Sequence, residues 1–454
     1  MKKARITGII GLAVLLGAGF TNATYAHASA SKYAAAIKSK ALPLSALRKM
    51  TPRTGHSSEA FTRVGLAKKS TGLSTFSTSG TPGVDSLTNW SDQFTAPGFD
   101  GNGNPQSVWP YTMVGNPPES GRSSRIGAPI VPVILDLLAP DGTIAIYNGA
   151  PLTFAPGPDV IQAALGSPIF QPFIYTSGIG QFNDQMMRAE FWNRIQKSGD
   201  GEGEDGGWHT NLVPKLRTAR HMEVPFGSWS FFIDANGNPV LAAVEANAFS
   251  NLFFPPTYPV DNSTVIGAAE LAGDVTTRDM STFLYNNTVL YVGNTANCCI
   301  IGFHTYDFEP GTAQNGNRER RYVLNYSSWL SPGLFAFGFE DITPWSHELN
   351  ETYNDPFVNN ATPWWLSVDP VLGGGNCQNN LETGDVVEVL ASSVPTYSIA
   401  MNGRTYHPQN VAMFNWFAFQ SPSQGHLGAY SFPDEDTLPA LSPGNLQVGC
   451  VPAP

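Results

Sequence analysis

The sequence predicts an α+β protein built on a mixed sheet, with its chemistry-bearing residues on a helix in the C-terminal half. Three observations carry this: short apolar runs punctuated by Asp-Gly and Asn-Gly turns, a few stretches of helical period, and a composition suited to a packed core. Of 454 residues 42% are hydrophobic and 11% aromatic, which excludes a wholly disordered or collagen-like chain. Only 13% are charged, and 45 Gly with 36 Pro exceed one residue in six. The surface must therefore be Asn, Thr, Ser, Gln and Gly, as in secreted, loop-rich proteins. The net charge of −11 disfavours a phosphate-backbone partner, so nucleic acid is not expected as a ligand.

At the N-terminus, Lys2, Lys3 and Arg5 precede an apolar run from Ile6 to Phe20 and an Ala26-His27-Ala28 cleavage pattern. Residues 1–28 are expected to be a secretory signal peptide. The run is shorter than the ~20 residues of a spanning helix, and no later stretch is long and apolar enough to span. The expected product is secreted, extracellular or periplasmic, with no membrane contact after signal cleavage. Residues 29–84 form a basic arm. Residues 1–30 carry +3 and residues 31–80 carry +8, so the net −11 leaves −22 for the rest. The arm reads either as a flexible tether or as a pro-segment covering an acidic cleft until it is clipped.

The body divides into an N-terminal mixed α/β part, 85–285, and a C-terminal part, 286–454, with the option that both make one domain. Val131 to Leu138 reads as a strand ending at the Asp141-Gly142 turn, and Thr143 to Tyr147 continues to Asn148-Gly149. Gln181 to Gln196 reads as a helix, with Phe182, Met186, Ala189, Phe191 and Ile195 near one face. The acidic Gly199–Gly207 loop lacks the spaced ligands of an EF-hand and reads as solvated. Ser228–Ile233 and Val240–Val244 read as a hairpin closed by Asn236-Gly237 in a type I′ turn. Four cysteines, Cys298, Cys299, Cys377 and Cys450, suit an oxidising compartment. Adjacent residues hold their Cα atoms ~3.8 Å apart, below the usual disulfide range. Four cysteines permit three pairings, and pairing of Cys298 and Cys299 with Cys377 and Cys450 would tie the segments around them together.

The segment from Glu340 to Pro356 concentrates the candidate chemistry. Thr343 suits an N-cap, Pro344 the first helical position, and Pro356 disfavours helix at Asp355, so a helix of about three turns ends near Asn354. At 100° per residue, His347, Glu351 and Asp355 form one slanted stripe. Glu351 and Asp355 lie where the helix dipole disfavours carboxylates. No Lys or Arg lies between residues 322 and 403. A divalent cation is one remedy, and exposure to solvent is the other.

His347-Glu348-Leu349-Asn350-Glu351 resembles the His-Glu-x-x-His helix of zinc peptidases, with Glu351 in place of the second His. That resemblance implies His347 and Glu351 as ligands of Zn²⁺, or another divalent ion, and Glu348 as general base. Read onward, Ser346-His347-Glu348-Leu349-x-Glu351-x-x-x-Asp355-Pro356, Trp364-Trp365, Cys377, Gly384-Asp385 and Glu388 resemble a family of secreted bacterial and fungal metallopeptidase-like proteins. The family is distantly similar to the plant EXORDIUM, or phosphate-induced, cell-wall proteins. Cys299-Ile300-Ile301-Gly302-Phe303-His304-Thr305-Tyr306 and Arg321-Tyr322-Val323-Leu324 resemble its upstream strands, and Gln181-Phe182-Asn183-Asp184 with Arg188-Ala189-Glu190-Phe191-Trp192 resembles an earlier helix more loosely. The resemblance implies a zincin-like fold whose sheet edge faces the helix, and hydrolysis of an extracellular polypeptide. Asp355 or Asp385 would complete the ligand set, with Glu388 a further candidate for third ligand or supporting partner. Asp385 reads equally as a turn or cap residue. His304, among apolar neighbours, reads as a satisfied core histidine rather than a ligand.

Two other classes stay open. Trp329, Trp345, Trp364, Trp365 and Trp416 could form a sugar-stacking platform of a non-catalytic cell-wall-binding protein. Glu340 with Glu348 could be the carboxyl pair of a glycoside hydrolase. No Gly-x-Ser-x-Gly elbow or phosphate loop is present.

Overall fold

The computed structural model describes residues 32–50, 52, 87–195, 207–256, 262–313, 316–336, 338–366, 377–390, 396–420, 423 and 427–438. The expected signal peptide, most of the arm beyond residue 50, all but the last residue of the acidic Gly199–Gly207 loop, and Cys450 lie outside them. The class is α+β with mixed sheets.

The central sheet has seven strands. Four position the site: β1 (Ser124–Leu137), β2 (Met280–Asn286), β3 (Gly302–Glu309) and β4 (Arg320–Trp329). β1 begins seven residues before the apolar run that predicts it. It is buried along nearly its whole length, the pattern of a central parallel strand covered on both faces. It pairs in parallel with Thr210–Leu216, with Arg220–Val224 and with β2. β2 pairs in parallel with β4, and β3 closes the path antiparallel to β4. The sheet thus interleaves strands from both sides of residue 285, and 85–285 and 286–454 share one framework rather than standing as separate sheets.

Alternation sorts the two faces of β3 and β4. Phe303, Tyr322, Leu324 and Tyr326 join one apolar cluster, while Val323 joins another together with helix residues Trp345, Leu349 and Tyr353. His304 pairs with Asn325 and Gly302 with Ser327, and this second face receives the helices.

Two helices matter. α1 (Phe182–Glu190) is buried at every residue; it stops at Phe191 instead of running to Gln196, and a separate turn, Trp192–Ile195, follows. α2 (Thr343–Asn354) has the predicted length, and every residue in it is buried. Its N-cap is Ile342, one position earlier than expected, because the Thr343 hydroxyl turns away from the helix and donates to the Glu340 and His407 carbonyls at 2.7 and 2.6 Å. Three side chains fix α2 on the framework. Trp345 Nε1 donates to Thr282 Oγ1 at 2.9 Å, Tyr353 Oη to the Thr210 carbonyl at 2.7 Å, and Asn183 Nδ2 from α1 to Asn350 Oδ1 at 2.7 Å.

A second, five-stranded sheet contains the predicted hairpin, Trp229–Ile233 against Pro239–Glu245. Its turn is longer than the predicted two residues. Asp234 Oδ1 accepts from the amides of Asn236 and Asn238 at 2.9 and 2.8 Å, and Gly237 supplies the left-handed φ of +81°. Part of the basic arm belongs to this sheet. Ala41–Pro43 pairs in parallel with Phe231–Ile233 as an edge strand, Leu47 is fully buried, and Arg48 Nη2 donates to the Gly333 carbonyl at 2.9 Å. Cys298 and Cys299 are joined side by side, with Cα atoms 3.1 Å apart, and the expected partner Cys450 lies outside the described residues.

α1 ends on Glu190, which is 3% exposed. Burial pushes its carboxyl up to about 8, against the amide of Phe414, which donates to Oε1 at 2.9 Å. An acid raised on folding stabilises the fold fully below its unfolded value of ~4.3, and that contribution is lost as pH rises towards 8; at about 1.4 kcal/mol per unit it amounts to several kcal/mol. Glu190→Gln is therefore expected to be more stable than the parent above about pH 8 and to flatten the parent's alkaline loss. Urea melts across the pH range check this, and parallel pH profiles would contradict it.

Candidate metal centre

The stripe predicted on α2 becomes a buried cluster. His347, Glu348 and Glu351 are 0–1% exposed. Glu351 is the hub. Its Oε1 lies 2.9 Å from His347 Nε2 and accepts from the Gly384 amide at 3.0 Å. Its Oε2 lies 3.2 Å from His304 Nδ1. Burial alone would raise the Glu351 carboxyl, but the imidazoles of His347 and His304 overturn that and hold it well below the usual carboxylate range.

His304, expected to be a core histidine, belongs to this cluster. Glu348 Oε2 and Glu382 Oε2 lie 3.5 and 3.8 Å from its Nδ1. Burial opposes its protonation, and the facing Glu382, Glu348 and Glu351 reverse this, raising its pKa. Glu348 is pushed up to about 7 by burial, opposed chiefly by His304. Glu382 was not anticipated. The hint lies in its spacing, two residues before the Gly384-Asp385 turn already singled out.

The other predicted residues divide. Asp385 Oδ1 lies 3.5 Å from His347 Nε2, and Glu388 Oε1 lies 3.5 Å from His347 Nδ1. The imidazole is thus flanked on both nitrogens, and the surrounding carboxylates raise its pKa against the effect of burial. Asp355 leaves the stripe. The helix ends before it, and its Oδ1 accepts from the amides of Asn359 and Asn360 at 2.9 and 3.2 Å, so it caps the following loop. Burial pushes Asp355 up to about 6, opposed by His304 and by those amides. Glu340 sits in a separate group, its Oε1 3.1 Å from His407 Nδ1, which also meets Asp341 Oδ2 at 2.7 Å. That arrangement ties Glu340 to His407 rather than pairing it with Glu348. The platform of tryptophans does not form, since Trp329, Trp345, Trp365 and Trp416 are at most 9% exposed.

The donor set fits a cation. A tetrahedral ion with ligands at ~2.0–2.2 Å separates those ligands by roughly 3.3–3.6 Å, and His304 Nδ1 meets Glu351, Glu348 and Glu382 at 3.2, 3.5 and 3.8 Å. Both oxygens of Glu348 and Nε2 of His304 are buried without a hydrogen bond, a costly state for groups of this polarity. Two overlapping triads share the hub: His304 with Glu351 and Glu382, and His347 with Glu348 and Glu351.

Two glycines let these groups approach. A Cβ at Gly302 would stand 2.6 Å from Glu348 Oε1, and one at Gly384 would enter the His347 ring. The backbone of Gly384 is not in the left-handed region, so the requirement there is steric. Gly384→Ala is expected to cost about 1–3 kcal/mol by forcing the 382–385 turn off the imidazole. Chemical denaturation checks this, and a loss below about 0.5 kcal/mol would show that the turn yields freely.

No helix among the described residues is long and apolar enough to cross a membrane. The chain matches no protein-family model, no curated protein and no solved structure.

Proposed function

We propose that this protein is a secreted, metal-dependent hydrolase of peptidase type, acting on an extracellular polypeptide or on cell-wall material. The observation that carries the reading is the convergence, among buried residues, of His304, Glu348, Glu351 and Glu382 at ligand spacing. His304, Glu351 and Glu382 would hold a divalent ion, Zn²⁺ being suited to imidazole and carboxylate donors. When bound, such an ion polarises a carbonyl and makes water a nucleophile at neutral pH.

The remaining residues have roles that follow from their positions. Glu348, whose Oε2 lies 3.5 Å from His304 Nδ1, would serve as the base that takes a proton from water. His347 contacts Oε1 of Glu351 and would orient that carboxylate, whose Oε2 lies beside His304. Asp385 and Glu388 hold that imidazole in turn, and Gly302 leaves the room Glu348 occupies. The sequence centred the site on His347, whereas the spacing in the structure favours His304. Secretion rests on the N-terminal segment read above.

Elemental analysis of the purified chain tests the reading. About one divalent ion per chain is expected, lost in His304→Ala and retained, at weaker affinity, in His347→Ala. A chain that stays metal-free after dialysis against Zn²⁺ and Mn²⁺ would refute it.

A further inference from the structure

Granted the ion proposed at His304, on which this inference rests, the other half of the same cluster has the makings of a second site around His347. At His304 Nδ1, Glu351 Oε2, Glu348 Oε2 and Glu382 Oε2 lie 3.2, 3.5 and 3.8 Å away. At His347 Nε2 the pattern repeats, with Glu351 Oε1 at 2.9 Å and Asp385 Oδ1 at 3.5 Å. His347, Glu348 and Glu351 also offer one ligand atom each, all within 4.8 Å of one another. The two imidazoles thus meet different oxygens of a single carboxylate. Because a carboxylate carries lone pairs on both oxygens, Glu351 can serve a separate ion with each.

Three features favour an ion in this half. Glu388 Oε1 lies 3.5 Å from His347 Nδ1, so the far side of the ring already has the carboxylate that fixes the tautomer of a metal-bound imidazole. The 2.9 Å between His347 Nε2 and Glu351 Oε1 is close to the separation of neighbouring donors at a right angle around an ion with bonds of about 2.1 Å, which suits an octahedral ion that keeps water. The side chains of Asp385 and Glu388 are 8% and 11% exposed, against 0–1% for His347 and Glu351, so this half borders solvent and gives an ion its way in. Charge points the same way. One divalent ion offsets two of the carboxylates Glu348, Glu351, Glu382, Asp385 and Glu388, and a second offsets two more, in a place where unpaired charge is costly.

We propose that the cluster is a two-ion centre bridged by Glu351, with a tightly held ion at His304 and Glu382 and a second, exchangeable divalent ion such as Mn²⁺ at His347 and Asp385. The second is the weaker because Glu351 Oε1 also accepts from the amides of Gly384 and Asp385 at 3.0 and 3.4 Å, and so shares its lone pairs. Purification keeps the first ion, and the second loads from free metal. Asp385 then passes from a neighbour of the imidazole to a ligand, while Glu388 stays behind the ring as a positioning residue. Two ions so bridged stand about 3.5–4 Å apart, the separation at which a pair can clamp both sides of a bond under attack.

Equilibrium dialysis of the full chain against rising Mn²⁺, up to about 1 mM, tests the proposal, with bound metal counted and its electron paramagnetic resonance recorded. The count is expected to climb from one ion per chain to two, and the signal to change from that of an isolated ion to that of an exchange-coupled pair. Asp385→Asn should hold the count at one, and Glu388→Gln should weaken the second step by about 10- to 100-fold, neither displacing the first ion. Should Asp385→Asn fail to fold, Glu388→Gln, at the solvent border, carries the same reading. Saturation at one ion would overturn the pair while leaving the single-ion reading in place, and a chain that binds none would overturn both. A second ion that is uncoupled, or indifferent to both substitutions, would lie elsewhere and overturn the pair as well.

Discussion

Glu348→Gln is expected to leave the protein folded, with its cation bound, and to lower hydrolysis by about two to four orders of magnitude. The substitution keeps shape and volume, and neither oxygen of Glu348 makes a hydrogen bond that the fold depends on. What it removes is the ability to take a proton. In the cluster that ability belongs to Glu348, because Glu351 is held ionised by two imidazoles while burial keeps Glu348 near neutrality. Turnover of a casein or peptide-library substrate, measured beside metal content and melting temperature, separates the outcomes. Unchanged turnover with retained metal would remove Glu348 from the mechanism, and lost metal would make it a ligand.

Removing the cation is expected to cost the fold nearly as much as it costs activity. An ion that binds only the native state at about a thousand times its dissociation constant contributes ~4 kcal/mol. Without it, Glu348, Glu351 and Glu382 crowd the single imidazole of His304 at 3.2–3.8 Å. Chelation should therefore lower the melting temperature by several degrees, restored by stoichiometric Zn²⁺. Glu351→Gln should lose about 3–5 kcal/mol, because it leaves two buried imidazoles without their shared counter-charge. Scanning calorimetry with and without chelator is the measurement. Identical traces would mean that the carboxylates are satisfied by protons alone.

The helix was legible because its signals are local. Pro344, Pro356 and the one-turn spacing of His347 and Glu351 fix α2 without knowledge of the rest, and its bounds match closely. The burial of the whole helix was not legible, since polar residues such as Ser346, Asn350 and Asn354 read as solvent-facing until α1 and the sheet are placed over them. His304 was misjudged for a related reason. Its apolar neighbours Phe303 and Ile301 point to other clusters, and only the period of two shows that His304 shares a face with Gly302, beneath α2. Asp355 was assigned to the stripe on helical angles alone, yet Pro356 had already ended the helix, freeing its carboxylate to cap the next loop.

The short strand Ala41–Pro43 has a bearing on how the molecule survives proteases. Its backbone is stitched to Phe231–Ile233, and Leu47 is locked inside with Phe232 and Leu330, so scission between residues 53 and 86 would not free the leading peptide. The product would be a nicked, two-piece particle that migrates as one species in native buffer and splits only in detergent. Under such a cut the docked stretch would act as a strut held by the sheet and by Leu47.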